Sequence, residues 1–522
     1  MTGIRQRQSA WDALHETVFD VAIVGGGING ACLYRQLRDD GYRVLLLDKG
    51  DFGGGTSQAS AMMVWGGLLY LRNGDLPTVG RLCAAREHML QRLGLFVKPR
   101  PFRYLVTRHG THSRAVLQGA LYLYWLLGAC RRQRPRYECD YPERAFINRA
   151  RFNGALNYEE ACLEPSDARF VLSWILPSAA DHDGGAALNY CALAGGGYDR
   201  AAGCWRLDLE DTLGLRYGSA RARCVVNAGG VWTDTVNQRF GIRTPYRHVL
   251  SKGVFIAVKR PPEHRIPVVF ETNDGDHRTF TPWGPVSLYG PTETLVDNIT
   301  DGFAPRREDV SFLLNEMNGC LDRSFTPQDI VSLRCGIRPV AVERGRAGGC
   351  VSQHLSRRHR LHRDPGVPWI SLYGSNLTNC IPFAAAGRNL LRTMIARADP
   401  AKHCSPSVPP PFAPDREGFP GVPEFVPSAR WCADHEMCCG LADYLRRRTN
   451  IAQWVARGGL GFNDENLPHL ARLARVLAPD HAGAALAAYR HRVALEHDSV
   501  LAQTPATAVP APDEASLSFS TS

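Results

Sequence analysis

The sequence predicts an α/β protein: a discontinuous parallel sheet, a mixed β-sheet inserted into it, and a helical region after both. Three observations predict this. A strand, a glycine-rich turn, a helix and a second strand follow one another from Phe19 to Asp48. Another buried strand, Cys224 to Asn227, ends in the tight turn Ala228-Gly229-Gly230 far downstream, and both belong to one sheet if the domain is discontinuous. A proline-rich stretch then precedes a segment with helical periodicity.

Size and composition narrow the classes. The chain has 522 residues, of which 44% are hydrophobic and 21% charged, so a large core is available and wholesale disorder, a coiled coil and a polytopic membrane protein are excluded. Glycine is in surplus, 50 residues against a usual share of about 7%. The net charge of +10 is thin over such a chain and favours anionic partners only weakly. Three basic runs, Arg131 to Arg136, Arg357 to Arg360 and Arg446 to Arg448, lack the interleaved aromatics of a nucleic-acid platform. They read as solvated faces, with contact to acidic lipid as the second reading; no nucleic-acid partner is expected. The 16 cysteines are scattered with no C-x-x-C, so neither a metal site nor a redox motif is expected. The N-terminus lacks the apolar stretch of a secretion signal, which places the expected location in a reducing cytoplasm with free thiols.

The first strand, Phe19 to Val24, is apolar throughout except for Asp20, as a strand buried in a parallel sheet should be. A helical pattern runs on to about Asp40, and the second strand, Tyr42 to Leu47, ends on Asp48. Gly25, Gly27 and Gly30 stand in this strand-turn-helix setting with the spacing of a dinucleotide fingerprint. The first makes the turn, the second admits a pyrophosphate to the backbone, and the third lets helix and strand pack closely. The helix N-terminus offers its unpaired N–H groups to the phosphates. Asp48, at the end of the second strand, is placed to accept from ribose hydroxyls. The small, hydroxyl-rich loop Gly53 to Ser60, with Thr56, Ser57 and Ser60, suits contact with a phosphate and a flavin ring. With the distant turn at Gly229 it points to FAD rather than a nicotinamide, and the flavin then carries the redox chemistry. The core is thus a discontinuous Rossmann-like FAD-binding domain.

Ala115 to Cys130 is the longest apolar stretch, interrupted by Gln118 and short of the ~20 residues of a spanning helix. Core packing is one reading; docking in a membrane interface, between Arg114 and Arg131, is the other. The region 1–402 is expected to be the oxidoreductase part, 403–427 an extended linker, 428–503 a helical domain, and 504–522 too poor in apolar residues to order.

Along most of its length the sequence resembles the FAD-dependent glycerol-3-phosphate dehydrogenase family. The resemblance rests on Val24 to Ala31, Thr56 to Ser60, Gly66-Gly67 through Leu71, Asn157-Tyr158, Lys252-Gly253, Pro282-Trp283, Gly290 to Glu293, Gly336 to Pro339, Gly374 to Thr378, Asp434 to Glu436 and Leu445 to Thr449. It implies oxidation of a CH–OH group by hydride transfer to FAD, with quinone at a membrane surface or oxygen as electron acceptor. It adds Gly66, Gly67, Asn376, Leu377 and Thr378 to the cofactor set, the last three ahead of a helical stretch expected from Phe383 to Ala396. It implies Arg338 as substrate anchor, with Tyr70, Lys252 or a water as proton acceptor.

The chain departs from the family where the substrate binds. Positions the resemblance assigns to histidine, arginine, histidine, lysine and arginine hold Trp65, Leu69, Phe255, Asn376 and Ile381, and a family lysine position holds Met62. The expected substrate is therefore larger or less charged than glycerol 3-phosphate. An amine or amino-acid oxidase on the same scaffold and a flavin-binding protein without catalysis stand as alternatives. The expected partners are a small molecule, the electron acceptor, the inner face of a membrane, and a second copy in a homodimer.

Overall fold

The computed structural model describes residues 3–12, 14–110, 112–179, 185–214, 216–272, 277–299, 303–345, 358–374, 376–396 and 413–502. Its first sheet is centred on the apolar strand Val18–Val24, which pairs in parallel with Val44–Leu47 on one side and with Arg216–Asn227 on the other. Trp369–Tyr373 continues the parallel order beyond Arg216–Asn227, and Gly185–Leu188 continues it beyond Val44–Leu47. The chain thus returns to this sheet after long excursions, as the two distant glycine turns predict. The second strand starts at Val44 rather than Tyr42, because the Tyr42 N–H still bonds the carbonyl of Leu37 and closes the helix end.

Helices Ile28–Asp39, Asp167–Ala179 and Cys380–Arg392 bury Leu33, Leu37, Phe170, Ile175, Phe383 and Leu391 in one shared core against this sheet. The last of them begins before the expected Phe383 and ends before Ala396. On the other side Trp11, Trp205 and Trp369 form a second core, the latter two edge to face.

The inserted sheet is mixed, as expected. Val97–Thr107 pairs antiparallel with Phe152–Leu163 and parallel with Val268–Glu271; His277–Trp283, Val286–Gly290, Tyr246–Lys259 and Ile330–Glu343 follow in antiparallel order. Helix Arg307–Cys320 covers its outer face through Val310, Leu313, Leu314 and Met317.

The C-terminal region is helical from Ala429–His435 to Ser499–Ala502, around Leu441, Leu445, Leu470, Leu473 and Tyr489. The expected linker needs a correction. Residues 403–412 lie outside the described ones, but 413–427 fold back, with Arg416–Glu417 paired antiparallel to Val426–Pro427. The Tyr444 hydroxyl donates to the Pro427 carbonyl at 2.8 Å, so this piece is fastened to the helices rather than extended. The expected tail, 504–522, also lies outside the described residues.

The apolar stretch forms helix Arg114–Leu127, which buries Leu121 and Tyr124 but leaves Val116 and Leu126 55% and 58% exposed. Core packing therefore holds for one face alone. Among the described residues no helix is long and apolar enough to cross a membrane.

Candidate active site

A cavity of about 1090 Å³ runs between the two sheets, at the upper limit of the roughly 300–1,000 Å³ of most small-molecule pockets. Its two ends are built differently. One end is lined by Gly25, Gly27, Asp48, Thr56, Ser57 and Gly229, all expected in the cofactor set. Gly25 adopts φ +110°, and a Cβ there would lie 2.5 Å from the Ala228 carbonyl oxygen; only glycine allows the two turns to touch. Gly30 does not line the cavity. It lies beneath Gly25, where a Cβ would run into the Gly25 carbonyl, in the packing role of the third glycine. No side chain caps helix Ile28–Asp39, while the Ile28 N–H donates to Ser57 Oγ at 3.0 Å and ties the helix start to the second loop.

Asp48 accepts from the N–H of Gly26 at 2.7 Å and of Gly50 at 2.9 Å. Burial, only partly offset by these two donors, pushes its carboxyl up to about 6. Beside it Lys49 sits 3.8 Å over the ring of Trp232, which stacks on Phe303. Asn376, Leu377 and Thr378 enter the wall where the Asn376 side chain accepts from the Asn379 N–H at 2.9 Å and opens a short turn before helix Cys380–Arg392. Buried His248 accepts from the Gly374 N–H at 3.0 Å and steadies that approach; burial lowers its imidazole to about 4. Cys380 is buried and off the cavity wall.

The opposite end is made by side chains. Met63, Trp65, Leu69, Leu82 and Phe255 give it apolar walls; Ser60, Tyr70, His277, Thr279, Glu293 and Arg338 give it polar atoms. Arg338 donates to Ser251 Oγ at 3.4 Å, and Ser251 donates to Glu293 at 3.2 Å. Across the strand pair Ser251 stands opposite Arg338 and Gly253 opposite Gly336; a Cβ on Gly253 would meet Arg338 Nη2 at 2.5 Å, so the missing side chain makes room for the guanidinium. Tyr70 lies on the 3-10 segment Leu68–Asn73 behind Gly67, whose φ of +88° turns the loop into the cavity.

Two expectations are corrected here. Lys252 is 2% exposed and its ammonium is ion-paired with Asp309 on the covering helix Arg307–Cys320. Alternation along Tyr246–Lys259 explains why: Ser251 and Gly253 face Arg338, so Lys252 points to the other side of the sheet. It does not reach the cavity. Gly66 does not line it either. Its N–H donates to buried Glu160 at 3.2 Å, and a Cβ would meet Cys83 Sγ at 2.7 Å and Arg86 Nη1 at 2.9 Å. Gly66 lets the loop lie flat on the buried Arg86–Glu160–Tyr124 network.

Sequence reasoning missed His277, Arg358 and Arg447, all on the cavity wall. His277 Nε2 lies 2.8 Å from the Tyr104 hydroxyl. The alternation of His277, Thr279 and Thr281 along its strand was the signal that could have found it. Arg358, from a run read as solvated, lies beside Gly374 and pairs with Asp75 at 3.4 Å. Among the described residues no cluster of metal-ligating side chains is present.

The residues present suit FAD: backbone turns that admit a pyrophosphate, a carboxylate at the end of the second strand, and a cavity long enough to carry a ring system to the second sheet. The profile of the family described as "FAD dependent oxidoreductase" matches residues 20–379. A Glycerol-3-phosphate dehydrogenase of Pseudomonas aeruginosa is 28% identical over 399 residues, 74% of this chain and 73% of that protein. A protein of the same name from Mycobacterium leprae is 28% identical over 65% of this chain, which spans 58% of that relative's length. Among solved structures, the glycerol-3-phosphate dehydrogenase from Bacillus halodurans complexed with FAD superposes with a TM-score of 0.68 at 17% identity, over 96% of this chain and 98% of the other. The L-alpha-glycerophosphate oxidase of Mycoplasma pneumoniae with FAD bound gives 0.57 at 14%, over 72% and 95%. These structures share the fold, and with the profile match over most of the chain they lead to one assignment: the protein belongs to the FAD-dependent oxidoreductase family.

Proposed function

We propose that the protein oxidises the CH–OH group of a small molecule carrying a single anionic group and an apolar body, a substrate bulkier and less charged than glycerol 3-phosphate. The relatives named glycerol-3-phosphate dehydrogenase support the type of reaction. The observation that carries the substrate class is the cavity wall itself. Trp65, Leu69, Phe255 and Asn376 line it at positions where the resemblance implies histidine or a cation, and Arg338 remains as the anchor. Each charge-assisted hydrogen bond removed from a phosphate costs about 1.5–3 kcal/mol, so losing two or three weakens binding of a dianion by several orders of magnitude.

When bound, FAD supplies the hydride acceptor. The chain's own residues do the rest. Arg338, held by Ser251 and given room by Gly253, takes a carboxylate or a singly held phosphate and orients the substrate. Trp65, Leu69, Leu82 and Phe255 exclude water and pack on its carbon skeleton. Tyr70 and the His277–Tyr104 pair bring groups that can take or relay the hydroxyl proton.

Anaerobic mixing of the flavoprotein with a panel of alcohols tests this reading. Hydroxy acids with apolar side chains should bleach the visible flavin band at far lower concentration than glycerol 3-phosphate. Rapid bleaching by micromolar glycerol 3-phosphate sinks the substrate class; bleaching by amino acids alone moves the reaction to amine oxidation.

We also infer that helix Arg114–Leu127 rests on the surface of an anionic membrane. Val116, Leu123 and Leu126 form an exposed apolar face, and Arg114 and Arg134 stand at its rim, 4.6 and 5.4 Å over the rings of Tyr137 and Tyr122. Sedimentation with phosphatidylserine vesicles should carry the wild type down and leave a Leu123→Ser, Leu126→Ser variant in solution. A wild type that stays in the supernatant removes the surface from this role.

A further inference from the structure

Arg446 to Arg448 read from the sequence as a solvated basic run, yet Arg447 and Arg448 are 4% and 1% exposed. They sit in a turn of π-helix, Tyr444–Arg448, where the Thr449 N–H reaches back to the Tyr444 carbonyl at 2.9 Å. The widened turn sends both guanidiniums out of the helical region toward the first sheet. Arg448 grips both oxygens of Asp51, at 2.6 and 3.0 Å. Arg447 bonds the same carboxylate, donates to Gln58 Oε1 at 3.0 Å, and is held from behind by Asp443 at 2.6 Å. Asp51 and Gln58 are the two ends of the loop that supplies Gly54, Gly55, Thr56 and Ser57 to the cavity wall, and Arg447 itself lines the cavity beside Asp51 and Tyr190. One guanidinium from the C-terminal region therefore pins both ends of the cofactor loop. Two cations thus face two carboxylates, Asp51 and Asp443, and Arg448 also lies 3.9 Å from Glu436, which Arg169 pairs at 2.7 Å.

We propose that Arg447 is a positioning residue of the FAD site and that docking of the C-terminal helical region and binding of the dinucleotide are thermodynamically linked. The proposal rests on the reading of this cavity as an FAD site. If docking orders the loop that holds the dinucleotide, the dinucleotide must in turn hold the helical region in place by the same factor. Arg169 to Glu436 at 2.7 Å and the Asn189 side chain to the Met437 carbonyl at 2.9 Å give that coupling further paths.

The test uses full-length protein stripped of flavin and titrated with FAD. Binding is followed by flavin fluorescence and by hydrogen exchange. In the wild type, FAD should slow exchange both in residues 48–58 and in 436–450. Arg447→Gln should weaken FAD binding about tenfold or more and uncouple the two segments. Arg447→Lys should recover part of the affinity, and Arg446→Gln, whose side chain bonds Glu496 inside the helical region, should leave it unchanged. Wild-type affinity in Arg447→Gln overturns the proposal. So does wild-type protection confined to 48–58, a result that stands even if the variant fails to fold. A wild type that takes up no FAD refutes the cofactor reading as well, which separates the two failures.

Discussion

The two ends of the cavity are made of different materials. At the nucleotide end the working surface is backbone: Gly25, Gly27 and Gly229 bring turns close enough to meet, and the side chains there mostly hold the loops. At the substrate end the surface is side chain: Trp65, Leu69, Phe255, His277 and Arg338 arrive from separate strands and loops of a mixed sheet. A backbone site tolerates change almost nowhere, because added atoms have nowhere to go. A side-chain site can be refitted one residue at a time while the sheet beneath it stays the same. This is the physical ground for the proposed substrate class: a pocket of side chains can change what it binds while the backbone that admits the dinucleotide stays as it is.

Breaking the backbone end should have the largest effect. Gly30→Val drives a branched side chain into the Gly25 carbonyl, with a cost of about 3 kcal/mol or more and loss of flavin, measured by melting temperature and flavin content. Gly80→Ala, inside helix Leu76–Arg92 with nothing within 4 Å, is the matched control; it should stabilise by about 0.5–1 kcal/mol. At the side-chain end, Arg338→Ala should weaken anionic substrate binding by about 1.5–3 kcal/mol and leave flavin content intact, measured by substrate-induced flavin spectra. An equal loss of flavin would blur the division between the ends.

The smallest effect sharpens the comparison through pH. Burial pushes the Asp48 carboxyl up to about 6. A ribose hydroxyl that donates to it favours the ionised form, so FAD binding should lower that value. Affinity should then be constant above about pH 6 and fall with acid below it, by at most about tenfold per pH unit. Asp48→Asn should flatten the profile in a flavin titration from pH 5 to pH 8.

Much of the nucleotide end was legible in the sequence, since Gly25, Gly27, Gly30 and Asp48 follow from fixed backbone demands at fixed spacing. The parallel sheet was legible from its apolar strands. Lys252 was misread because its role turns on the parity of one position: a residue away, Ser251 and Gly253 face Arg338. Arg447 and Arg448 were misread because a basic run looks solvated until the chain brings carboxylates to it, and Asp51 lies nearly 400 residues earlier. His277 was missed because its partner, Tyr104, comes from a strand two removed in the sheet.

The strand that completes the parallel order beyond Arg216–Asn227, Trp369–Tyr373, is synthesised after most of the chain has left the ribosome. Until then Val225 and Val226 border an open edge, and such an edge invites pairing with another chain. Pairing across such a sequence distance is intrinsically slow, and the glycine fingerprint is made well before the strand that finishes the sheet around it. Closing that edge at Val225 and Val226 is thus left to a strand from the last third of the chain, and no contact within the fingerprint itself does it.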